Sequence, residues 1–165
     1  MKYGDSVEGP MMDTKPKTAI ADDHLARQRL RMWLQMLKAT RHVEGALRER
    51  FRARYNTTLP RFDVLSALHA HPQGMKMSEL SQFLVVSNGN VTGVVDRLVL
   101  DGLVERTMVE ADRRAFLVRI TSKGHDLMDE MAAEHLRWID GLLADVPEAD
   151  TARAISIMLD IRHRK

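Results

Sequence analysis

The sequence predicts a mainly α-helical chain with one small β-hairpin, built as a helix-turn-helix lobe beside a helical lobe that dimerises. Three observations predict it. Between Met75 and Lys123 the apolar period switches once, from 3.6 residues to 2. On both sides of that stretch, long segments carry apolar residues at three- and four-residue steps. Those outer stripes are longer than one small lobe can cover, so a partner is expected to bury them.

Residues 1–21 contain Gly4, Gly9, Pro10 and Pro16 among Lys and Asp and show no period, which reads as a mobile arm. Asp22 or Asp23 can cap a long helix in which Leu30, Trp33, Leu34, Leu37, Val43, Leu47 and Phe51 form one stripe. Arg48, Arg50, Arg52 and Arg54 crowd its end, as a solvated face or as contacts to a phosphate backbone. Thr58 and Pro60 start the next helix, since proline in a first turn gives up no needed amide. Phe62, Leu65 and Leu68 are its buried face. His69 and His71, two positions apart, point away from each other and make a poor metal pair.

Ser78 to Leu84 reads as a short helix ended by VVSNG, after which Ser87 is placed to cap a helix reaching about Asp101. Val91, Val94, Val95 and Leu98 share one face of it; Asn88, Asn90, Thr92, Gly93, Asp96 and Arg97 occupy the rest. Gly102, free to adopt positive φ, closes this helix, with Leu103 as its apolar contact. Val104 to Met108 then pairs with the alternating Phe116 to Thr121 segment across the charged EADRRA loop, giving a two-stranded hairpin. Thr121 or Ser122 caps a helix carrying Leu127, Met128, Met131, His135, Ile139, Leu142 and Val146; a last helix after Pro147 carries Ala152, Ile155, Met158 and Leu159.

The net charge is only +2 but unevenly spread. Residues 41–125 hold 13 basic and 9 acidic side chains, a net +4, whereas 126–165 hold 5 and 9, a net −4. A basic lobe beside an acidic one suits a polyanion reader with a separate assembly region. The chain has no cysteine, which excludes disulfides, thiolate metal sites and a thiol oxidant sensor. No run approaches the ~18 apolar residues of a membrane span, and a cytoplasmic protein without membrane contact is expected. The sequence contains no GxSxG, P-loop or HExxH motif, so no enzyme and no cofactor is expected.

MSEL, SNGNVTGVVDRL, DGLVER, DRRAFLVRIT and TSKG, in that order, resemble the MarR family of winged helix-turn-helix regulators, over roughly Leu59 to Leu143. Within it, SNGNVTG is most similar to members governing breakdown of hydroxycinnamates and related aromatic acids, some of which answer to the acyl-CoA thioester. The resemblance implies double-stranded DNA as partner, a homodimer, and a small effector, an aromatic carboxylate or aryl-CoA thioester. It divides the chain into the arm 1–21, a dimerisation region 22–56 plus 122–165, and a winged helix-turn-helix domain 57–121. Many members carry Arg or Lys near the position of Gly93, so the resemblance implies fewer base contacts there and more reliance on the wing.

A helix of this kind enters the major groove. Ser87, Asn88, Asn90 and Thr92 are therefore the expected groove residues, Arg97 a phosphate or salt-bridge residue, and Arg113 and Arg114 the minor-groove residues at the wing tip, with Asp112 steadying one arginine. The bland alternatives stay open, Ser87 as a cap and Arg113 as a solvated side chain. Trp33, Met36, His69 and Trp138 are the candidate lining of an effector pocket, or plain core. A winged helix used for protein assembly or RNA binding is the rival reading, opposed by the lack of aromatic anchors on the polar helix face.

Overall fold

The protein is described by a computed structural model covering residues 17–85, 87–109 and 112–163. Its elements are α1 (Lys17–Tyr55), α2 (Leu59–His69), β1 (Met75–Lys76), α3 (Met77–Phe83), α4 (Asn88–Leu100), β2 (Val104–Val109), β3 (Asp112–Ile120), α5 (Ser122–Leu142) and α6 (Glu148–His163). Mainly α with a small wing is thus the observed class. The chain divides into two compact units between Arg41 and His42. No helix among the described residues is long and apolar enough to cross a membrane.

In the N-terminal unit, α1 begins at Lys17, ahead of the expected cap. Asp23 lies inside the helix and pairs with Arg27 one turn on, an i,i+4 use that explains its acidity as well as capping would. The arm expected over 1–21 lies outside the described residues as far as residue 16, and 17–21 are helical. Leu30, Trp33 and Leu34 of the predicted stripe are exposed.

In the C-terminal unit the same stripe is buried: Leu47 and Phe51 belong to the core and Val43 packs against it. Phe51 meets Phe62 of α2 at 4.6 Å and Trp138 of α5 edge-on at 5.1 Å, which gathers three helices around one ring. Leu65, Leu68, Val91, Val95, Leu98 and Met131 complete the interior. Glu134 also lies inside, 7% exposed, and takes Arg54 at 3.1 Å and Arg137 at 2.9 Å, so its charge is doubly compensated.

The hairpin has a third strand. β1 pairs antiparallel with β3, Met75 opposite Val118 and Lys76 opposite Leu117, giving the order β1-β3-β2. Two residues are too few to show a period, which is why the sequence predicts only two strands. Gly74, at φ +86°, brings the chain alongside; a Cβ there would stand 2.7 Å from the Val118 carbonyl. β2 and β3 run from Val104 opposite Ile120 to Val109 opposite Asp112, with a bulge between Met108 and Val109. They reach further toward the tip than the loop composition suggests.

The end of α4 is a complete Schellman turn: Leu103 N donates to Leu98 O at 2.9 Å and Gly102 N to Val99 O at 2.9 Å, with Gly102 at φ +69°. Against it sits the start of α5. Thr121 caps that helix, its hydroxyl accepting from Gly124 N at 3.1 Å and donating to Gly102 O at 2.8 Å, while its own amide donates to Leu103 O at 3.0 Å. A Cβ on Gly124 would collide with the Leu103 carbonyl and stand 2.7 Å from Ile120 Cγ1.

Gly124→Ala is therefore expected to destabilise the protein by about 1–3 kcal/mol in chemical denaturation, because both neighbours are fixed. Gly45→Ala, in a helix interior with nothing within 4 Å of the new methyl, is expected to be neutral or to stabilise by up to ~1 kcal/mol. Equal stabilities for the two variants would mean that α5 does not start this close to the α4 turn.

Candidate nucleic-acid interface

Along α4 the burial follows the helical period. Val91, Val95 and Leu98 are buried and Val94 is half-buried, while Asn90, Thr92, Gly93, Asp96 and Arg97 face outward. The inward valines fix the helix to α2 and α3, and the outward residues form a narrow face of small polar groups. Ser87 sits at the N-cap with extended backbone, and its carbonyl accepts from Asn90 N at 3.1 Å and Val91 N at 3.3 Å. Its hydroxyl makes no capping bond among the described residues, contrary to the capping role the sequence suggests. The side chain is exposed and available for an outside partner. Asn88 is the first residue of α4; its side chain lies outside the described residues.

The turn that aims α4 is strained. Val85 adopts φ +55° and is 89% exposed. A β-branched residue in the left-handed region costs about 1–2 kcal/mol and gains nothing from burial here. Sequence reasoning missed it, since VVSNG reads as a break without saying which residue turns left-handed.

Two arginines hold the reading elements in place. Arg106 of β2 reaches Asp96 of α4 at 2.7 Å, tying the wing to the helix beside it, and Arg61 of α2 pairs with Asp101 at the end of α4. Arg119 Nε donates to Gln73 O at 3.0 Å and fixes β3 to the turn before β1. None of these was anticipated, because each joins positions far apart in sequence. The arginine run at the end of α1 is largely committed as well: Arg48 to Glu44 at 2.5 Å, Arg50 to the Trp138 carbonyl at 3.1 Å, and Arg54 to Glu134. Arg52 is exposed.

Arg97 is exposed and forms no ion pair among the described residues. It lines a surface groove of about 520 Å³ with Asn90 and Gly93, facing Thr57, Thr58 and Arg61. The structure so brings Asn90 and Arg97 to one wall. Gly93 leaves that wall open, for nothing lies within 4 Å of a Cβ there. Arg113 and Arg114 belong to β3, but their side chains, and the expected Asp112 ion pair, lie outside the described residues.

The four pocket candidates divide between the two units. Trp33 is 53% exposed and Met36 half-buried, both in the N-terminal unit. In the C-terminal unit, Trp138 packs on Phe51, whereas His69 sits elsewhere, its Nδ1 3.1 Å from His125 Nδ1 and its Nε2 3.5 Å from Asp129. His71 hydrogen-bonds the Ala67 carbonyl at 2.7 Å. Among the described residues no group of three or more His, Cys, Asp or Glu could hold a metal ion. His135, which packs on Phe62 at 4.8 Å, has its pKa lowered by burial.

Comparison with known proteins places this geometry. A profile described as the MarR family matches residues 55–115. The transcriptional activatory protein BadR of Rhodopseudomonas palustris is 32% identical over 107 residues, covering 63% of this chain and 61% of BadR, so the match spans less than two thirds of that relative. A MarR family transcriptional regulator from Silicibacter pomeroyi superimposes with TM-score 0.71 at 31% identity, over 82% of this chain and 94% of that one. Sco3205 of Streptomyces coelicolor, a MarR family regulator in complex with DNA, shares the fold at TM-score 0.73 and 18% identity, over 82% of this chain and 85% of its own. These relatives are regulators and not enzymes, in agreement with the absence of catalytic motifs. The small polar face of α4, its apolar anchorage and the adjoining wing are thus a winged helix-turn-helix, and the chain belongs to the MarR family of transcriptional regulators.

Proposed function

We propose that the protein is a homodimeric repressor that reads a pseudo-palindromic operator in double-stranded DNA and is released by a small aromatic acid or its CoA thioester. One observation carries the DNA reading: α4 presents Asn90, Thr92, Gly93 and Arg97 outward on a valine-anchored helix whose neighbouring strand is held by Arg106 and Asp96. Ser87, Asn88, Asn90 and Thr92 take the major groove, where Asn and Thr can meet base edges. Arg97, late in the helix and in no ion pair among the described residues, takes a phosphate. Arg113 and Arg114 take the adjacent minor groove. The Sco3205 complex supports the DNA partner, as a protein of the same fold described with DNA.

Unburied apolar surface supports the dimer. Leu136 is 70% and Ile155 55% exposed, α6 buries none of its residues, and Leu30, Trp33 and Leu34 are exposed in the N-terminal unit. A two-fold partner would cover residues from 22–56 and 122–165, and it would set two α4 helices about one DNA turn apart. The effector reading rests on the SNGNVTG resemblance. Candidate contacts are Trp33 and Met36 in the N-terminal unit and, separately, His69 and Trp138 in the C-terminal unit. BadR's description as an activatory protein makes the position of the site relative to the promoter the test of repression.

Footprinting upstream of its own gene, with excess unrelated duplex, is expected to show a protected pseudo-palindrome overlapping the promoter and spanning two major-groove turns. Protection only upstream of the promoter would favour activation; none on a genomic fragment pool would favour a protein-assembly or RNA module. Arg114→Ala is expected to weaken operator binding by about 1–3 kcal/mol, read by titration at fixed salt, and an unchanged affinity would remove it from the interface. Trp33→Ala is expected to change effector release while leaving ligand-free DNA affinity intact; loss of the dimer together with a lowered Tm would mark it as structural instead.

A further inference from the structure

Between the start of α2, the turn after α3 and the first two turns of α4 lies a cavity of about 350 Å³. Val64, Leu84, Val91 and Val94 make it apolar, and Asp63 and Asn90 are its polar groups. Its size suits a ligand of one ring with a short substituent. Asp63 is half-buried, and no hydrogen-bond donor among the described residues reaches its carboxyl. Its pKa is pushed up to about 6, first by burial, then by Glu44, against a smaller opposing effect of Arg48.

The nearby cations are spent elsewhere. Arg48 is paired with Glu44 at 2.5 Å, and Arg61, two residues from Asp63 on α2, is paired with Asp101. Above about pH 6 the protein therefore keeps an ionised carboxylate, in ion-pair contact with no cation among the described residues, in the wall of an apolar cavity. Such a group is costly until a cation reaches it. We propose that this cavity binds a small protonated amine carried on an aromatic or alicyclic ring, with the ammonium on Asp63 and the ring against Val64, Leu84, Val91 and Val94. A carboxylate of the same shape is repelled. The site shares no residue with the candidate contacts of the aromatic-acid effector. Because Val91 and Val94 belong to α4, occupancy acts on the reading helix from its buried side. Binding itself is independent of the DNA-reading assignment, and only its effect on operator affinity rests on it.

The test uses the full chain with methyl-labelled Val and Leu, and benzylamine, benzyl alcohol and benzoate as probes. At pH 7.5 benzylamine is expected to shift the Leu84, Val91 and Val94 methyl signals saturably, benzyl alcohol weakly and benzoate not at all. Lowering the pH to 5 protonates Asp63, so benzylamine affinity is expected to fall severalfold. Asp63→Asn is expected to fold, with a Tm above the parent's at pH 8 because an ionised half-buried group is gone, and to bind benzylamine at least tenfold more weakly. Benzoate binding as tightly as benzylamine, or shifts unaffected by both pH and Asp63→Asn, would overturn the proposal; so would no shift at these methyls. The probe comparison on the parent protein decides even if the variant does not fold, and no DNA is needed, so a failed operator assignment leaves it standing.

Discussion

The aim of the reading helix is transmitted through one close backbone approach, the start of α5 lying against the last turn of α4. Gly102 turns the chain left-handed, Leu103 drops into the core beside Leu98, and Thr121 bonds both the Gly102 carbonyl and the Leu103 carbonyl. Lys123 adds a bond to the Asp101 carbonyl at 2.9 Å. The carbonyls that the end of a helix leaves unpaired are thereby used to position the next helix. The approach needs a residue without Cβ at 124, because the Leu103 carbonyl occupies the space. At Gly124 the two backbones meet with no side chain between them, so a displacement of the α4 end presses directly on the start of α5.

Charge pairs then fix what packing leaves free. Asp96 faces the wing and Asp101 faces α2, so α4 is held by Arg106 on one side and Arg61 on the other. These pairs are partly exposed and contribute little to stability, on the order of 1 kcal/mol or less each. Their geometric effect is larger than their energy. Removing acidic charge from the outward face matters too: with Asp96 and Asp101 neutralised by protein arginines, Arg97 stands on a face that no longer repels phosphate. The buried Glu134 with Arg54 and Arg137 does the same where α1 meets α5.

Local patterns were legible and distant ones were not. Val91, Val95 and Leu98, the Gly102 stop and the Thr121 cap could be read because helix period and capping depend on neighbours a few residues away. β1 could not, since Met75 and Lys76 acquire a strand's identity only from Val118 and Leu117. Residue type also misled where one chemistry has two uses. Asp23 has the composition of a cap but pairs inside the helix, and Ser87 stands at a cap position while its hydroxyl makes no capping bond among the described residues. The α1 stripe is continuous in sequence, yet only its part from Val43 onward is covered within the C-terminal unit, because sequence period marks a face without saying what covers it. His69 meets His125 and Asp129 across 56 and 60 positions of chain, beyond any spacing rule.

The contrast between the two sides of α4 bears on how a ligand acts. Toward α5 the helix end is held by three hydrogen bonds, one from the Thr121 amide and two from the Thr121 and Lys123 side chains, but toward α2 its first two turns face an open cavity and a strained valine turn. Movement is therefore easier at the N-terminal half, which carries Asn90 and Thr92, than at the C-terminal half. In the proposed DNA reading, a rotation about the more tightly held end would shift Asn90 and Thr92 most and Arg97 least, so base reading would be lost before phosphate contact. A hundredfold loss of operator affinity needs only about 2.8 kcal/mol of differential ligand binding between the two states. That is within reach of one ring in an apolar cavity plus one charge pair, and it leaves nonspecific attraction to DNA largely in place.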